Sequence, residues 1–417
     1  MDALLENKNL IGINGLGRIG KLTLWSHIAL RHFEGAVVNL GRQVGTSLED
    51  LIDIMQTDST YGAMNRFLYG NTGTNRSFTI VDEQQGILEF DGFVIKILRT
   101  HRNPREIQWK QNGVAVVIDC TGIFTDPTLP ADHPGGSLRG HLDGGARKVI
   151  VSAPFKIKDK TKKMPEDSFM MVYGINHLEF KPEKHHVLSA ASCTTTGLSH
   201  MINPLLLTQQ TSRILTASMS TVHAATNSQS VLDAVPKANA SDLRKTRSVF
   251  NNIILSTTGA AKALESIIPQ ISQIGFMADS VRIPTNTVSL IILNITFSSN
   301  LDEKGDPTIN QQFLNNIYKQ AAEGPQKDLL VYSQRQNVSS DLMGFPAAIV
   351  IEGHETHTRT GFLNLPEKVL SSMGVKVEQD LNLPVTHAKI FGWYDNEYGS
   401  YVNCLGKLVV YVDKNLA

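Results

Sequence analysis

NLIGINGLGRIGKLTLWSHIALRHF, residues 9–33, opens on a short apolar run. It passes through three glycines and continues with apolar residues at helical spacing. That order predicts strand, tight turn, helix. Gly15, Gly17 and Gly20 fit G-x-G-x-x-G. Each glycine has its own task. Gly15 lets the chain turn sharply, Gly17 lets the backbone approach a pyrophosphate, and Gly20 lets the helix lie close on the strand. The pyrophosphate would sit on the helix N-terminus, against free N–H groups and the positive dipole end. A plain glycine turn also fits the spacing, but the flanking strand and helix favour a dinucleotide site.

The next strand, GAVVNLGRQ at 35–43, should end near an acid that hydrogen-bonds a ribose 2′-hydroxyl. It reads Asn39-Leu40-Gly41-Arg42 instead, and no acid appears before Glu49. An Arg can pair with a 2′-phosphate, so the cofactor reads as NAD or NADP, with Arg42 a candidate contact. The alternative is that Arg42 is a solvated loop residue. VAVVIDCTGIF at 114–124 and KVIVSAP at 148–154 read as buried parallel strands opening toward a ligand. Strands alternating with helical stretches give a doubly wound α/β sheet of Rossmann type.

In the second half, SAASCTTTGLSH at 189–200 sets Cys193 among small residues and hydroxyls, ahead of an apolar helix. A helix N-terminus stabilises a thiolate. ILTASMSTVHAAT at 214–226 reads as a strand ending at His223, 30 residues after Cys193. A strand–helix–strand crossover would bring both side chains to one edge of one sheet. There the His could activate the thiol. STTGAAKA at 256–263 offers hydroxyls and a glycine at a helix start. VRIPTNTVSLIILNITF at 281–297 reads as Arg282 followed by one alternating strand. Arg282 with Thr226 and Thr258 alongside would hold a phosphate.

The bulk numbers agree with a globular enzyme. A chain of 417 residues, 41% hydrophobic and 19% charged, fits two domains. Lys plus Arg equals Asp plus Glu, at 39 each, which argues against nucleic acid or an anionic membrane as partner. Cys120, Cys193 and Cys404 form no metal spacing and no disulfide scaffold, so no metal is expected. No apolar run approaches the roughly 20 residues of a membrane span. The acidic start, MDALLENKNLIGING, does not resemble a secretory signal, and the cytoplasm is the expected location.

Taken in series, these motifs resemble the phosphorylating glyceraldehyde-3-phosphate dehydrogenase family. INGLGRIG resembles its N-terminal fingerprint, ASCTT its nucleophile motif and STVHAAT its histidine motif. STTGAAKA and VRIPT resemble its phosphate sites, and WYDNEYG at 393–399 its C-terminal motif. Shorter matches include RNPREIQW at 102–109 and CTGIF at 120–124. The resemblance implies a Rossmann-type NAD(P)-binding domain over 1–192. It implies an α+β catalytic domain with a mostly antiparallel sheet over 193–390, and a C-terminal helix over 391–417 returning to the first domain. It implies a homotetramer acting on a sugar phosphate and inorganic phosphate.

The resemblance also implies roles. Cys193 is the nucleophile and His223 its activating base. Asn14, Gly15, Gly17, Arg18 and Ile19 match pyrophosphate-binding positions. Arg102, Thr121 and Asn396 match further cofactor positions. Thr226, Lys245 and Arg282 match the substrate phosphate site, and Ser192, Thr194, Thr258 and Gly259 the inorganic phosphate site. The chain departs from the family at CTTTG (193–197), where Asn and a second Cys are missing. It departs again at Ser228 for Asp, Lys245 for Arg, and Leu40 for the ribose Asp. Insertions fall near 126–141, at the basic run 156–163, which reads as a solvated loop, and at 353–386. The alternatives are a related enzyme such as an erythrose-4-phosphate dehydrogenase, or a non-catalytic nucleotide-binding relative.

Overall fold

A computed structural model describes residues 5–73 and 75–416. The chain divides into two units. Unit 1 comprises Met1–Cys193 with Glu397–Ala417, and unit 2 comprises Thr194–Asn396.

Unit 1 is built on strands β1 (Leu10–Asn14), β2 (Gly35–Asn39), β3 (Thr57–Asp58), β4 (Gly62–Ala63), β5 (Thr79–Asp82) and β6 (Ile87–Phe90). It continues with β7 (Phe93–Leu98), β8 (Val114–Asp119), β9 (Lys148–Val151), β10 (Ser168–Met170) and β11 (Val187–Ser189). Nine of these form one sheet in the order β10-β11-β9-β8-β1-β2-β7-β6-β5, while β3 and β4 pair separately. The run from β10 to β7 is parallel, and β6 and β5 add antiparallel edges. Every residue of β1 and β2 is buried, as expected of central parallel strands covered on both faces. The chain leaves β1 toward β2 on one side, and β8 leads away on the other. The strand order therefore reverses between β1 and β8, the place where open α/β sheets bind ligands.

The Arg18–Leu30 helix follows β1 after the glycine turn. Gly15 has φ +90°, which favours glycine. A Cβ at Gly20 would overlap the Gly15 carbonyl oxygen, so the helix packs on the turn more closely than any side chain permits. The C-terminal Asn403–Lys414 helix joins this unit's core through Leu405, Leu408, Val409 and Val412. Arg18 ties the two helical regions together. Its guanidinium pairs with Asp58 and with Glu397, and Lys21 reaches Asp58 at 2.8 Å.

Unit 2 carries β12 (Ile214–Ala224), β13 (Ile254–Ser256), β14 (Gly275–Ile283) and β15 (Ser289–Ser298). They are followed by β16 (Leu330–Ser333), β17 (Ile349–Glu352), β18 (His357–Leu365) and β19 (Leu381–Tyr394). The order is β13-β14-β12-β15-β19-β17-β16, with β18 on β19. The sheet is mixed and mostly antiparallel; β12–β14 and β16–β17 are its parallel pairs. β15 alternates buried and half-buried residues along its whole length, the mark of a strand with one face on the core.

Two expectations need correction. The strand before Cys193, β11, lies in the nine-stranded sheet, and β12 with His223 lies in the other. The two strands are not joined by a crossover within one sheet. Arg282 does not begin the strand over 281–297 either. It lies near the end of β14, and the turn Pro284–Val288 separates it from β15.

The insertions take three forms. Residues 126–137 form turns leading into the Leu138–Asp143 helix. Residues 158–163 are exposed and irregular, as a solvated loop should be. Residues 353–386 include β18, a short Glu367–Ser372 helix and the start of β19.

Candidate active site

The cofactor side of the site lies in unit 1, where three strand ends meet. Asn14 is in register with Asn39 of β2 and with Asp119 of β8. Their side chains are joined. Asn39 Nδ2 donates to Asn14 Oδ1 at 2.8 Å, and Asn14 Nδ2 donates to Asp119 Oδ2 at 2.8 Å. Asp119 Oδ1 accepts from Thr121 N at 3.1 Å and Thr121 Oγ1 at 2.6 Å. Behind it, Trp109 Nε1 donates to His141 Nδ1 at 2.9 Å, and His141 Nε2 lies 3.1 Å from Asp119 Oδ2. The indole N–H is a donor only, so it fixes the tautomer: Nδ1 accepts and Nε2–H donates to the carboxylate. Every acceptor on Asp119 therefore meets a donor, and Asn14 is held by a buried chain that starts at Trp109. Sequence reasoning missed Asp119, His141 and Trp109. The one local signal was an acid closing an otherwise apolar strand.

These residues fit a dinucleotide. The Arg18–Leu30 helix has no side-chain cap at Gly17, so its first N–H groups face outward. A Cβ on Gly17 would meet nothing within 4 Å. Packing within the protein therefore does not require a glycine there, whereas close approach of a pyrophosphate does. Ile19 follows in the same first turn. The Arg18 side chain is committed to Asp58 and Glu397, whose hydrogen bonds and charges raise its pKa against the opposing effect of burial. What Arg18 offers a phosphate is its backbone N–H. A pocket of about 500 Å³ opens beside Asn14, Gly15 and Thr121 and is walled by Arg42, Arg102 and Phe124.

Cys193 is half-buried and is the first residue of the 15-residue Cys193–Leu207 helix; Ser192, also half-buried, precedes it. Of the other two thiols, Cys120 is also half-buried, just after β8, and Cys404 is buried in the Asn403–Lys414 helix. Burial pushes Cys120 and Cys404 up to about 12.

Within unit 2, Thr194 Oγ1 lies 2.9 Å from Tyr394 Oη, which lies 2.8 Å from Thr221 Oγ1. One buried phenol thus ties the start of the helix to β12 and β19. The altered CTTTG motif has a packing reason. A Cβ at Gly197 would come within 3.2 Å of Ile349 Cδ1 and 3.3 Å of Ile291 Cδ1, so those isoleucines fill the space a side chain would take.

His223 sits one residue from the end of β12, directly opposite Arg282 of β14. Its Nδ1 is 2.8 Å from the Ala224 carbonyl and lies against Arg282 Nη1, which also donates to Ala224 O at 3.1 Å. Burial, and then the guanidinium charge, lower its pKa to about 3, so the imidazole is neutral near pH 7. Ala224 N donates to Ser289 Oγ at 3.0 Å, and Ser289 Oγ donates to Asn396 Oδ1 at 2.9 Å. Ser289, which sequence reasoning also missed, therefore links the His223 strand end to Asn396. Asp395 beside it accepts from Thr287 Oγ1 at 2.7 Å and Gly344 N at 2.8 Å, which pins the loop.

The remaining phosphate-site candidates are more open. Thr226 is exposed; its Oγ1 lies 2.9 Å from Ser228 Oγ and donates to Gln229 Oε1 at 3.1 Å. Lys245 is exposed on a short turn. Gly259 immediately precedes the Ala260–Ile267 helix, and Thr258 Oγ1 accepts from Ala260 N at 3.2 Å. Across the ladder Ile254, not Thr258, faces Arg282.

A glycine turn at a parallel-sheet switch point, with a pocket at the strand ends, defines a dinucleotide-binding protein. Residues 9–127 match the model of the glyceraldehyde 3-phosphate dehydrogenase NAD binding domain, and residues 192–396 match that of its C-terminal domain. The chain is 32% identical over 409 residues to a glyceraldehyde-3-phosphate dehydrogenase of Streptomyces coelicolor, covering 97% of this chain and 99% of the relative. It is 29% identical over 420 residues to a cytosolic one of Chlamydomonas reinhardtii, covering 99% of each chain. It is 29% identical over 403 residues to one of Geobacillus stearothermophilus, covering 96% of this chain and 97% of the relative. The chain belongs to the glyceraldehyde 3-phosphate dehydrogenase family, and its first unit contains the NAD(P)-binding domain.

Proposed function

We propose that this protein catalyses the NAD(P)-dependent, phosphorylating oxidation of D-glyceraldehyde 3-phosphate to 1,3-bisphosphoglycerate. The observation that carries the reading is a cysteine at the head of a 15-residue helix, in a chain whose other two thiols, half-buried Cys120 and buried Cys404, are pushed up to about 12. His223, buried near the end of β12 beside Arg282, is the histidine this reading assigns as the base.

His223 takes the thiol proton of Cys193, Cys193 Sγ attacks the aldehyde carbon and forms a C–S bond, and the carbonyl electrons move to oxygen, which receives that proton and becomes a hydroxyl. His223 takes the hydroxyl proton as the carbon loses hydrogen with its electron pair. The bound nicotinamide supplies the acceptor for that hydride. A thioester remains on Cys193. Inorganic phosphate attacks the thioester carbon, the C–S bond breaks, and the acyl phosphate leaves with the thiolate restored. In this reading Thr226, Lys245 and Arg282 hold the substrate phosphate. Ser192, Thr194, Thr258 and Gly259 hold the attacking phosphate, and Asn396 orients the carboxamide.

We read the protein as a cytoplasmic homotetramer serving glycolysis and gluconeogenesis. Three free cysteines suit a reducing compartment. Exposed apolar side chains of unit 2, among them Val235, Phe250, Ile253 and Met277, suit burial between subunits. Among the described residues no helix is long and apolar enough to cross a membrane, and no group of three or more His, Cys, Asp or Glu is placed to hold a metal.

The test is initial rates with glyceraldehyde 3-phosphate and inorganic phosphate, with erythrose 4-phosphate in parallel. Triose turnover that requires phosphate and is abolished in Cys193→Ser supports the reading. Faster turnover of the tetrose, or no turnover in protein that binds nucleotide, rejects it.

A further inference from the structure

We infer that the dinucleotide pocket is built for a 2′-phosphate, so that this protein selects NADP over NAD. The inference rests on the reading of unit 1 as the dinucleotide site and deepens it.

The pocket runs along the carboxyl ends of β1, β2 and β8, from Asn14 and Gly15 to Leu40, Gly41 and Arg42. A ribose that prefers a free 2′-hydroxyl is held by a carboxylate at the end of the second strand. Here that strand end delivers Leu40, whose side chain can accept no hydrogen bond. In the same wall stand two guanidinium groups, Arg42 and Arg102. Among the described residues, no carboxylate forms an ion pair with either. Arg102 Nε donates to the Gly41 carbonyl at 3.2 Å, which anchors its stem and leaves the terminal nitrogens of the fork for a ligand. Among the described residues, the Arg42 side chain makes one long hydrogen bond, Nη1 to the carbonyl of its neighbour Gln43 at 3.5 Å.

Gly41 explains how the two come together. It has φ +64°, and a Cβ there would lie 2.9 Å from Arg102 Cγ and 3.0 Å from the His101 carbonyl oxygen. A glycine is therefore needed for Arg102 to cross the end of β2. Asn39 Oδ1 is buried in the same wall without a hydrogen-bond partner among the described residues, although Asn39 Nδ2 is fully used by Asn14 and the His101 carbonyl. A polar atom left unsatisfied at a pocket wall is what a ribose hydroxyl common to both dinucleotides would complete, so Asn39 supports a nucleotide here and the choice between NADP and NAD rests on the guanidinium groups and Leu40. The first insertion supplies the far side. Pro134 and Gly135 face the pocket with Phe124, an apolar slot suited to a base. Two guanidinium groups with no ion-paired carboxylate among the described residues, Leu40 where an acid would stand, and an apolar slot match an adenosine carrying a 2′-phosphate.

The test is calorimetric titration of the full chain with NADP, NAD, 2′,5′-ADP and 5′-ADP at two salt concentrations. NADP should bind at least about ten-fold more tightly than NAD, and 2′,5′-ADP more tightly than 5′-ADP. The advantage should shrink with salt. Arg42→Ala and Arg102→Ala should weaken NADP about ten-fold or more with a smaller effect on NAD, and Leu40→Asp should reverse the preference. NAD binding as tightly as NADP in the unaltered protein overturns the inference and leaves the dinucleotide reading standing. Equal losses of both dinucleotides in the Arg variants also overturn it. Binding of neither dinucleotide overturns both.

Discussion

Arg282 and His223 stand opposite one another on neighbouring parallel strands, and Arg282 Nη1 lies against His223 Nδ1. A guanidinium beside an imidazole disfavours the imidazolium, and burial disfavours it more. The folded His223 pKa is about 3, against an ordinary value of 6.5. Below pH 6.5 the unfolded chain therefore binds a proton that the folded chain refuses. This site adds stability above that pH and loses it as pH falls toward 3, at most on the order of 1.4 kcal/mol per pH unit. Stability measured from pH 7 to 4 should fall less steeply in His223→Gln than in the unaltered protein. In Arg282→Ala the imidazole signal should titrate at higher pH, but still below 6.5, because burial is the larger cause. An unmoved titration would show that Arg282 does not act on the ring.

The three thiols should separate by reactivity. Burial holds Cys120 and Cys404 up to about 12, whereas Cys193 heads the Cys193–Leu207 helix. Only the thiolate reacts with alkylating reagents. At pH 7.5 one equivalent of iodoacetamide should enter the native protein, on Cys193, with Cys120 and Cys404 labelled after unfolding. Mass spectrometry locates the label. Early modification of Cys120 or Cys404 would contradict the assignment of Cys193 as the reactive thiol.

Gly17 and Gly20 are three residues apart and should fail differently. A Cβ at Gly20 overlaps the Gly15 backbone oxygen, and backbone cannot rotate away. Gly20→Ala should cost several kcal/mol, on the order of 2–4, and lower the melting temperature sharply. A Cβ at Gly17 meets nothing within 4 Å, and its φ of −74° suits any residue. Gly17→Ala should stay within about 1 kcal/mol of the unaltered protein in stability. It should nonetheless bind the dinucleotide at least about ten-fold more weakly, because the methyl occupies the approach to the pyrophosphate. Equal binding by Gly17→Ala would remove the pyrophosphate from this turn.

The contrast shows what kind of information the chain displays locally. The glycine turn was legible because each residue's task depends on neighbours within five positions. The Cys193 helix start and the end of β12 near His223 were legible for the same reason. What the sequence hid was pairing between distant segments. The sequence reads Arg282 as opening a long strand because alternation resumes after residues 284–288, so the two strands β14 and β15 share one rhythm. The Cys193–His223 crossover was misplaced because strand periodicity does not say which sheet a strand joins. Ser289 was invisible because its partners, Ala224 and Asn396, lie 65 and 107 residues away.

The buried chain behind Asn14 has the same non-local character, and it can be tested directly. Asp119 Oδ1 accepts from Thr121 N and Oγ1, and Oδ2 accepts from Asn14 Nδ2 and His141 Nε2. In Asp119→Asn the amide oxygen can serve one of those pairs, but the amide nitrogen must then face two donors. The loss should be about 2–5 kcal/mol, since Asp119 and His141 are fully buried. His141→Gln can keep both contacts, donating to Asp119 and accepting from Trp109, and should cost less. The Asp119→Asn effect should reach the ligand. With its Asp119 contact broken, Asn14 is no longer held at the switch point, so dinucleotide affinity should fall with stability in Asp119→Asn and be largely kept in His141→Gln. Urea midpoints and calorimetric titrations of the two variants provide the comparison. If Asp119→Asn unfolds at the same urea concentration as the unaltered protein, the chain from Trp109 to Asn14 does not hold the pocket. If it unfolds earlier but binds dinucleotide equally well, the chain supports the sheet without positioning the site.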